Sequence, residues 1–122
     1  MQSFSRILLT SLVTVLAHTV PSLAWAQDAS TPDLNDQKLV AAGEKKFSQN
    51  CVYCHGNAGS GGKGAPLQGR TDFTAEYLFD TISNGKRRGA LVMPPWKDAM
   101  PASDIWALSA YILSLRSKTT QK

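Results

Sequence analysis

Apolar residues recur at helical spacing in three stretches of the chain, and each stretch predicts one helix. The last stretch is the clearest, because its apolar positions repeat every three or four residues. They are Ile105, Leu108, Ile112 and Leu115, with Tyr111 beside them. Ser103 can cap this helix, and Asp104 in its first turn suits the positive end of the helix dipole. A helix is therefore predicted over residues 103–117.

The first stretch predicts a helix that begins after Asn35 or Asp36 and runs to about residue 50. Either of these side chains can accept hydrogen bonds from the free N–H groups of the first turn. One face of the helix is formed by Leu39, Val40, Gly43 and Phe47. A glycine-rich loop follows over residues 56–64, where no regular structure is expected.

The middle stretch predicts a helix that begins near Asp72 or Thr74 and ends at Asn84-Gly85, a common left-handed helix ending. The residues expected to point inward are Tyr77, Leu78 and Ile82. Residues 86–95 form a basic segment that we expect to be irregular, and no stretch alternates in the manner of a strand. The predicted class is therefore all-α, with three main helices.

The first 26 residues have the pattern of a cleaved export signal. A positive start at Arg6 precedes an apolar run over residues 7–17, and Ala24-Trp25-Ala26 is a small-x-small cleavage site. The apolar run is shorter than the roughly 20 residues that a spanning helix needs. We therefore expect cleavage after Ala26, a periplasmic location and no stable membrane insertion.

The mature chain is large enough for one small domain, because cleavage leaves 96 of the 122 residues. We expect a flexible lead-in over residues 27–35, a folded domain over 36–117 and a tail over 118–122. The mature chain has 12 Lys and Arg against 9 Asp and Glu, a net charge near +3. This moderate charge suits an acidic protein partner better than a nucleic acid.

The segment Cys51-Val52-Tyr53-Cys54-His55 is a haem-attachment pattern. Two thiols one helical turn apart can add to the two vinyl groups of one porphyrin. The residue that follows the second thiol then brings an imidazole to the iron. We therefore predict one covalent haem c, attached through Cys51 and Cys54, with His55 as an iron ligand.

Other interpretations of this cysteine pair fit the chain less well. His18 leaves with the signal, so the mature chain has only three His or Cys residues, whereas a structural zinc site needs four protein ligands. A thioredoxin-like redox pair requires an α/β setting, which the pattern does not predict. A structural disulfide remains open, although it explains neither the adjoining His55 nor the export signal.

The opposite face of the iron needs a different ligand, because His55 is the only histidine left after cleavage. Met93 lies in the segment Met93-Pro94-Pro95, where two prolines fix the backbone and can hold a thioether sulfur in place. Met100 lies close to the last helix, and we expect it to fill the core. We favour Met93. Methionine opposite histidine raises the reduction potential and closes the iron to small molecules, which favours electron transfer over catalysis.

Together these motifs resemble the class I cytochrome c family over nearly all of residues 36–116. Gly43 and Phe47 match residues of the family's first helix, and Leu108 and Tyr111 match the last-helix residues that pack against them. The resemblance implies that the two helices cross closely within a fold wrapped around one haem. The four-helix-bundle cytochromes differ, since they carry the cysteine motif near the carboxyl terminus.

Two further segments match the family's ligand loops. The segment Gly64-Ala65-Pro66-Leu67 is similar to the loop in which a proline carbonyl accepts a hydrogen bond from the ligand histidine. The resemblance assigns this role to Pro66. It also supports Met93, because Met93-Pro94 matches the motif of the sixth ligand.

A basic cluster flanks the proposed methionine ligand. Its members are Lys86, Arg87, Arg88 and Lys97. Our hypothesis is that these charges steer an acidic redox partner, since electrostatic steering raises association rates. The glycine pattern Gly59-x-Gly61-x-x-Gly64 formally matches a dinucleotide fingerprint, but no predicted strand precedes it, so we interpret it as a loop.

The sequence predicts a monomeric periplasmic electron carrier rather than an enzyme. One alternative is a dedicated electron-accepting subunit of an exported dehydrogenase, such as a quinoprotein alcohol oxidiser. Another is a haem enzyme or gas sensor with an open sixth position, which requires that neither Met93 nor Met100 binds the iron.

Overall fold

The computed structural model describes residues 31–118. The predicted signal peptide, the beginning of the lead-in (27–30) and the end of the tail (119–122) lie outside the described residues. The helices of this part are α1 Gln37–Asn50, α2 Val52–His55, α3 Ala75–Asn84 and α4 Ala102–Ser114, and the strands are β1 Lys86–Arg88 and β2 Leu91–Met93. Single 3-10 turns cover Asn57–Gly59 and Leu115–Ser117. The three main helices α1, α3 and α4 were all predicted.

Side-chain caps define where the first two main helices begin. The carboxylate of Asp36 accepts from the backbone N–H of Lys38 at 2.7 Å, and α1 starts at the next residue, Gln37. Thr74 accepts from the N–H of Tyr77 at 3.1 Å and caps α3. In each case the structure selects one of the two predicted caps.

The core is centred on the crossing of α1 with α4. Gly43 and Phe47 are the buried residues of α1, and the Phe47 ring lies 5.3 Å from the ring of Tyr111 on α4. Every residue of α4 from Ala107 to Ile112 is buried. On the rim of the crossing, Lys46 forms an ion pair with Asp104 at 2.6 Å. The close crossing implied by the cytochrome c resemblance is therefore present.

Helix α3 packs against α4 through Leu78 and Ile82, which are both 4% exposed. The prediction that Tyr77 points inward was wrong, because its side chain is 40% exposed. The Tyr77 ring stacks on Phe73 at 5.7 Å, and its hydroxyl accepts from Lys86 at 2.6 Å. Tyr77 therefore shields the edge of the core and holds a surface cation.

We expected residues 86–95 to be irregular, and this was wrong for residues 86–93. Strands β1 and β2 pair antiparallel as a hairpin, with Lys86 opposite Met93 and Arg88 opposite Leu91. Both strands are only three residues long and mostly exposed, so they leave no alternating core face in the sequence. Over residues 31–118, no helix combines the length and apolar character that crossing a membrane requires.

The helix crossing generates a prediction for Gly43→Ala. A methyl group at this position would collide with the backbone carbonyl of Ala107 and lie 2.8 Å from Cβ of Tyr111. We expect the free energy of unfolding of the protein to fall by about 3 kcal/mol or more, because two backbones would have to separate.

Urea denaturation measures this loss, and Ala42→Gly is the matched control on the same helix. Ala42 is exposed, so the control should cost only about 1 kcal/mol of helix propensity. Equal losses in the two variants would contradict the close crossing.

Candidate cofactor site

The two cysteines are presented by an almost continuous helix. Cys51 closes α1, with its N–H donating to the carbonyl of Phe47 at 2.9 Å. The chain then turns directly into α2, where the N–H of His55 donates to the carbonyl of Cys51 at 2.9 Å. The thiols therefore lie one turn apart, and the imidazole follows at the end of α2.

Both cysteines are free and half-buried. Burial, with a smaller contribution from Cys54, raises the pKa of the Cys51 thiol to about 11. The Cys51 thiol is therefore protonated at neutral pH, and in this state it is a weak nucleophile.

The imidazole of His55 is oriented by the loop that follows it. Nδ1 lies 3.2 Å from the carbonyl oxygen of Ala65, and because a carbonyl can only accept, Nδ1 carries the proton. The lone pair of the neutral ring is then on Nε2, which is available to a metal. The ring centroid of Phe47 lies 6.5 Å away, so the imidazole sits beside the α1–α4 core.

The acceptor of this hydrogen bond differs from the prediction. Pro66 was expected to supply the carbonyl, whereas in the structure the carbonyl belongs to Ala65, one residue earlier. The loop reaches this position because the N–H of Gly64 donates to the carbonyl of Cys54 at 2.8 Å. A methyl group on Gly64 would lie 2.9 Å from two atoms of the imidazole, so the loop backbone packs directly on the ring.

The two methionines occupy different environments. Met100 is 9% exposed and belongs to the buried core cluster. Met93 is partly buried at the end of β2 and packs at the edge of that cluster. The segment after Met93 is tied to the end of α3, because the N–H of Trp96 donates to the carbonyls of Ile82 and Ser83.

The four cations of the basic cluster differ in their surroundings: two donate hydrogen bonds to neighbouring side chains and two are exposed on β1. Lys86 donates to the hydroxyl of Tyr77 at 2.6 Å, and this hydrogen bond lowers the pKa of the phenol. Lys97 donates to the side-chain oxygen of Asn84 at 3.2 Å. Arg87 and Arg88 lie on β1 and are exposed. Lys86 pairs directly with Met93 across the hairpin, and Arg87 and Arg88 continue the same strand.

Sequence reasoning did not identify two features of this region. One is the carbonyl of Ala65, which carries no side-chain signal. The other is the pair Leu91 and Val92, which are 57% and 52% exposed on β2. An apolar pair that follows a basic run and the two residues Gly89-Ala90 could have indicated a hairpin with an apolar strand.

The donor set fits a covalently attached haem. Two free thiols one turn apart and a neutral imidazole with its Nε2 available are the groups that such a cofactor requires. A disulfide is not formed between the cysteines.

Known proteins with the same features are c-type cytochromes. The family model described as cytochrome c oxidase, cbb3-type, subunit III matches residues 38–112. The chain is 40% identical over 82 residues to the cbb3-type cytochrome c oxidase subunit FixP of Bradyrhizobium diazoefficiens, a match that covers 62% of this chain and 27% of FixP. It is 33% identical over 85 residues to cytochrome c6 of Cladophora glomerata, covering 63% of this chain and 89% of that protein.

A solved structure shows the same fold. The crystal structure of cytochrome CL from Methylophaga aminisulfidivorans superposes with a TM-score of 0.57 at 27% identity, covering 66% of this chain and 55% of that one. Fold and matches together define a class I c-type cytochrome, a class of proteins that hold haem c covalently. The chain belongs to the family of cbb3-type cytochrome c oxidase subunit III. It spans about a quarter of the length of the curated oxidase subunits that it matches.

Proposed function

We propose that the protein is an exported, monomeric single-electron carrier with one haem c and His/Met axial ligation. Cys51 and Cys54 attach the haem, His55 binds one face of the iron and Met93 the other. When bound, the haem supplies the ferric–ferrous redox chemistry. The observation that carries the proposal is the imidazole of His55, whose Nδ1 is engaged by Ala65 and whose Nε2 is left for the iron.

In this proposal, the protein chain orients the histidine ligand of the haem. The hydrogen bond from Nδ1 to the Ala65 carbonyl fixes the plane of the imidazole and increases its donor strength toward a metal. Phe47 lies beside the imidazole and is backed by Tyr111, and both side chains are at most 4% exposed. A fixed histidine ligand and buried aromatic neighbours reduce the structural rearrangement of the site when the iron gains or loses one electron.

Met93 is the better candidate for the sixth ligand, because its backbone is fixed while its side chain is not part of the buried core. Cross-strand pairing with Lys86 holds the backbone on one side, and the Trp96 hydrogen bonds to α3 hold it on the other. Met100 fills the core, and withdrawing its side chain would leave a cavity there. The Met-Pro-Pro segment is therefore fixed at both of its ends, and a thioether ligand with a defined position requires this.

Met93→Ala is the principal test of this proposal. We expect the ferric protein to lose the far-red absorption band that arises from sulfur bound to iron, and its reduction potential to fall. Met100→Leu is the matched control: it should keep the band and lower the free energy of unfolding by less than about 1.5 kcal/mol, since the side chains have similar volumes. Retention of the band in Met93→Ala would exclude Met93, and its absence from the wild type would favour an open sixth position.

The role of His55 generates a second prediction, for Gly64→Ala. The added methyl group lies against the imidazole and should push it away from the Ala65 carbonyl. Loss of that hydrogen bond weakens histidine as a donor, so ferric iron is less stabilised and the reduction potential should rise. Redox titration measures the change.

Gly62→Ala provides the control for crowding of the loop. A methyl group there meets the carbonyl of Cys54 at 3.0 Å and does not reach the imidazole. Its potential should remain close to that of the wild type. Equal shifts in the two variants would mean that the potential responds to the loop as a whole and not to the His55 hydrogen bond.

Lys86 and Lys97 are proposed to face an acidic redox partner. Both ammonium groups are already held, by Tyr77 and Asn84, so a partner carboxylate can meet them with little further ordering. Fixed charges beside the ligand segment steer association, which suits brief electron-transfer complexes.

The double variant Lys86→Gln/Lys97→Gln should slow electron transfer to an acidic blue-copper protein, used as the probe, by roughly threefold to tenfold at low salt. Stopped-flow kinetics at several ionic strengths measure the rate, and the variant should depend less on salt. The control Lys38→Gln/Lys45→Gln removes the same charge from exposed positions of α1. If both pairs slow transfer equally, only net charge matters and the docking role is refuted.

A further inference from the structure

The end of α3 lies directly against the segment that carries Met93. Gly85 is the C-terminal cap of α3, and its N–H donates to the carbonyl of Thr81 at 2.9 Å. The chain then enters β1, where Lys86 pairs with Met93. This pairing brings the backbone of Gly85 beside the residues that follow Met93.

The contact between Gly85 and this segment joins two backbones. A methyl group on Gly85 would lie 2.5 Å from the carbonyl oxygen of Met93, 2.8 Å from the nitrogen of Pro95 and 2.9 Å from the carbonyl carbon of Pro94. These distances are too short for non-bonded atoms, so a side chain at this position displaces the segment. No other group fits between Gly85 and the segment, so a haem bound to Met93 lies outside this contact.

The backbone conformation of Gly85 separately requires a glycine. Its φ is 74° and its ψ is 175°, a combination that residues with a side chain essentially do not adopt. The close contact distinguishes it from Gly69, whose φ is also positive, at 68°. A methyl group on Gly69 would lie 3.6 Å from the carbonyl oxygen of Lys118, an ordinary van der Waals distance.

The two prolines after Met93 depend on packing for their position, because they cannot donate hydrogen bonds. Neither Pro94 nor Pro95 has an N–H group. The first N–H after them belongs to Trp96, and it donates to the carbonyl of Ile82 at 3.1 Å. Carbonyls in the last turn of a helix have no partner within the helix, so α3 has them to offer. Gly85 therefore supports the part of the segment that hydrogen bonds do not hold.

We propose that Gly85 is a positioning residue for the sixth ligand of the iron. Because it has no side chain, the backbone of Met93 rests against α3 and the thioether is held in one place. A ligand held in place rebinds the iron more readily than a dissolved molecule of similar strength replaces it. The inference rests on the proposed function, since it takes Met93 as the ligand. Its consequence is that Gly85 keeps exogenous ligands from the iron of an electron carrier.

Titration of the ferric haem-loaded protein with imidazole tests this proposal, because imidazole competes with Met93 for the iron. In Gly85→Ala, the crowding at the end of α3 is relieved when Met93 leaves the iron. We therefore expect imidazole to bind about tenfold more tightly to this variant than to the wild type. The far-red band of sulfur bound to iron should weaken in parallel.

Two alanine variants are controls for effects that do not involve the Met93 segment. Gly69→Ala introduces a strained backbone without crowding, and Gly43→Ala destabilises the α1–α4 crossing. Both should bind imidazole within about threefold of the wild type. If either control raises the imidazole affinity as much as Gly85→Ala does, ligand exchange follows backbone strain or global stability, and the positioning role is refuted.

A measurement on the wild type decides the question if Gly85→Ala does not retain haem. In the ferrous, diamagnetic protein, nuclear Overhauser contacts should connect the α-protons of Gly85 with the δ-protons of Pro95. Their absence would mean that the segment does not lie against α3 when haem is bound, and the proposal would be overturned.

Failure of this inference and failure of the proposed function give different spectra. A wild type with the far-red band, together with an unchanged imidazole affinity in Gly85→Ala, would refute the role of Gly85 and leave Met93 as the ligand. A wild type without the band would refute Met93 as the ligand and the role of Gly85 with it.

Discussion

The rest of the structure depends on the close crossing of α1 and α4. Gly43 allows the crossing, since any side chain there would collide with the backbone of α4. Phe47 is fixed one turn later against Tyr111, and its carbonyl accepts the N–H of Cys51. The position of the first thiol is therefore set by the crossing of α1 and α4 at the centre of the core. The second thiol and the imidazole follow within one further turn of helix.

The main helices could be predicted because each has two independent signals in the sequence. Their ends are marked by capping side chains, Asp36 for α1 and Thr74 for α3, and their buried faces by apolar residues at helical spacing. For α4 the cap signal was weaker. Ser103 was expected to cap it, whereas the helix begins at Ala102 after Pro101 without a side-chain cap. The continuous apolar face of α4 nevertheless predicted the first residue of the helix to within one position.

The failures occurred where backbone geometry, and not side-chain chemistry, decides the outcome. The carbonyl that orients His55 belongs to Ala65 instead of Pro66, and no side-chain property distinguishes two adjacent carbonyls. The hairpin has three-residue strands on the surface, so it has no buried face that could impose a period on the sequence. Tyr77 directly precedes Leu78, so it lies about 100° around α3 from that buried position, and its side chain is 40% exposed. The attachment motif itself could be predicted because covalent chemistry fixes residue type and spacing together.

The basic cluster shows why charge in a sequence does not define one surface. Lys86, Arg87, Arg88 and Lys97 are nearly contiguous in the chain, and composition treats them as equivalent. In the structure Lys86 and Lys97 each donate to a neutral oxygen at the base of the hairpin, which orders them without neutralising them. Arg87 and Arg88 lie farther out, each across the ladder from an exposed aliphatic side chain. An ordered cation suits a partner with fixed carboxylates. The two pairs therefore differ in what surrounds them, although they are neighbours in the chain.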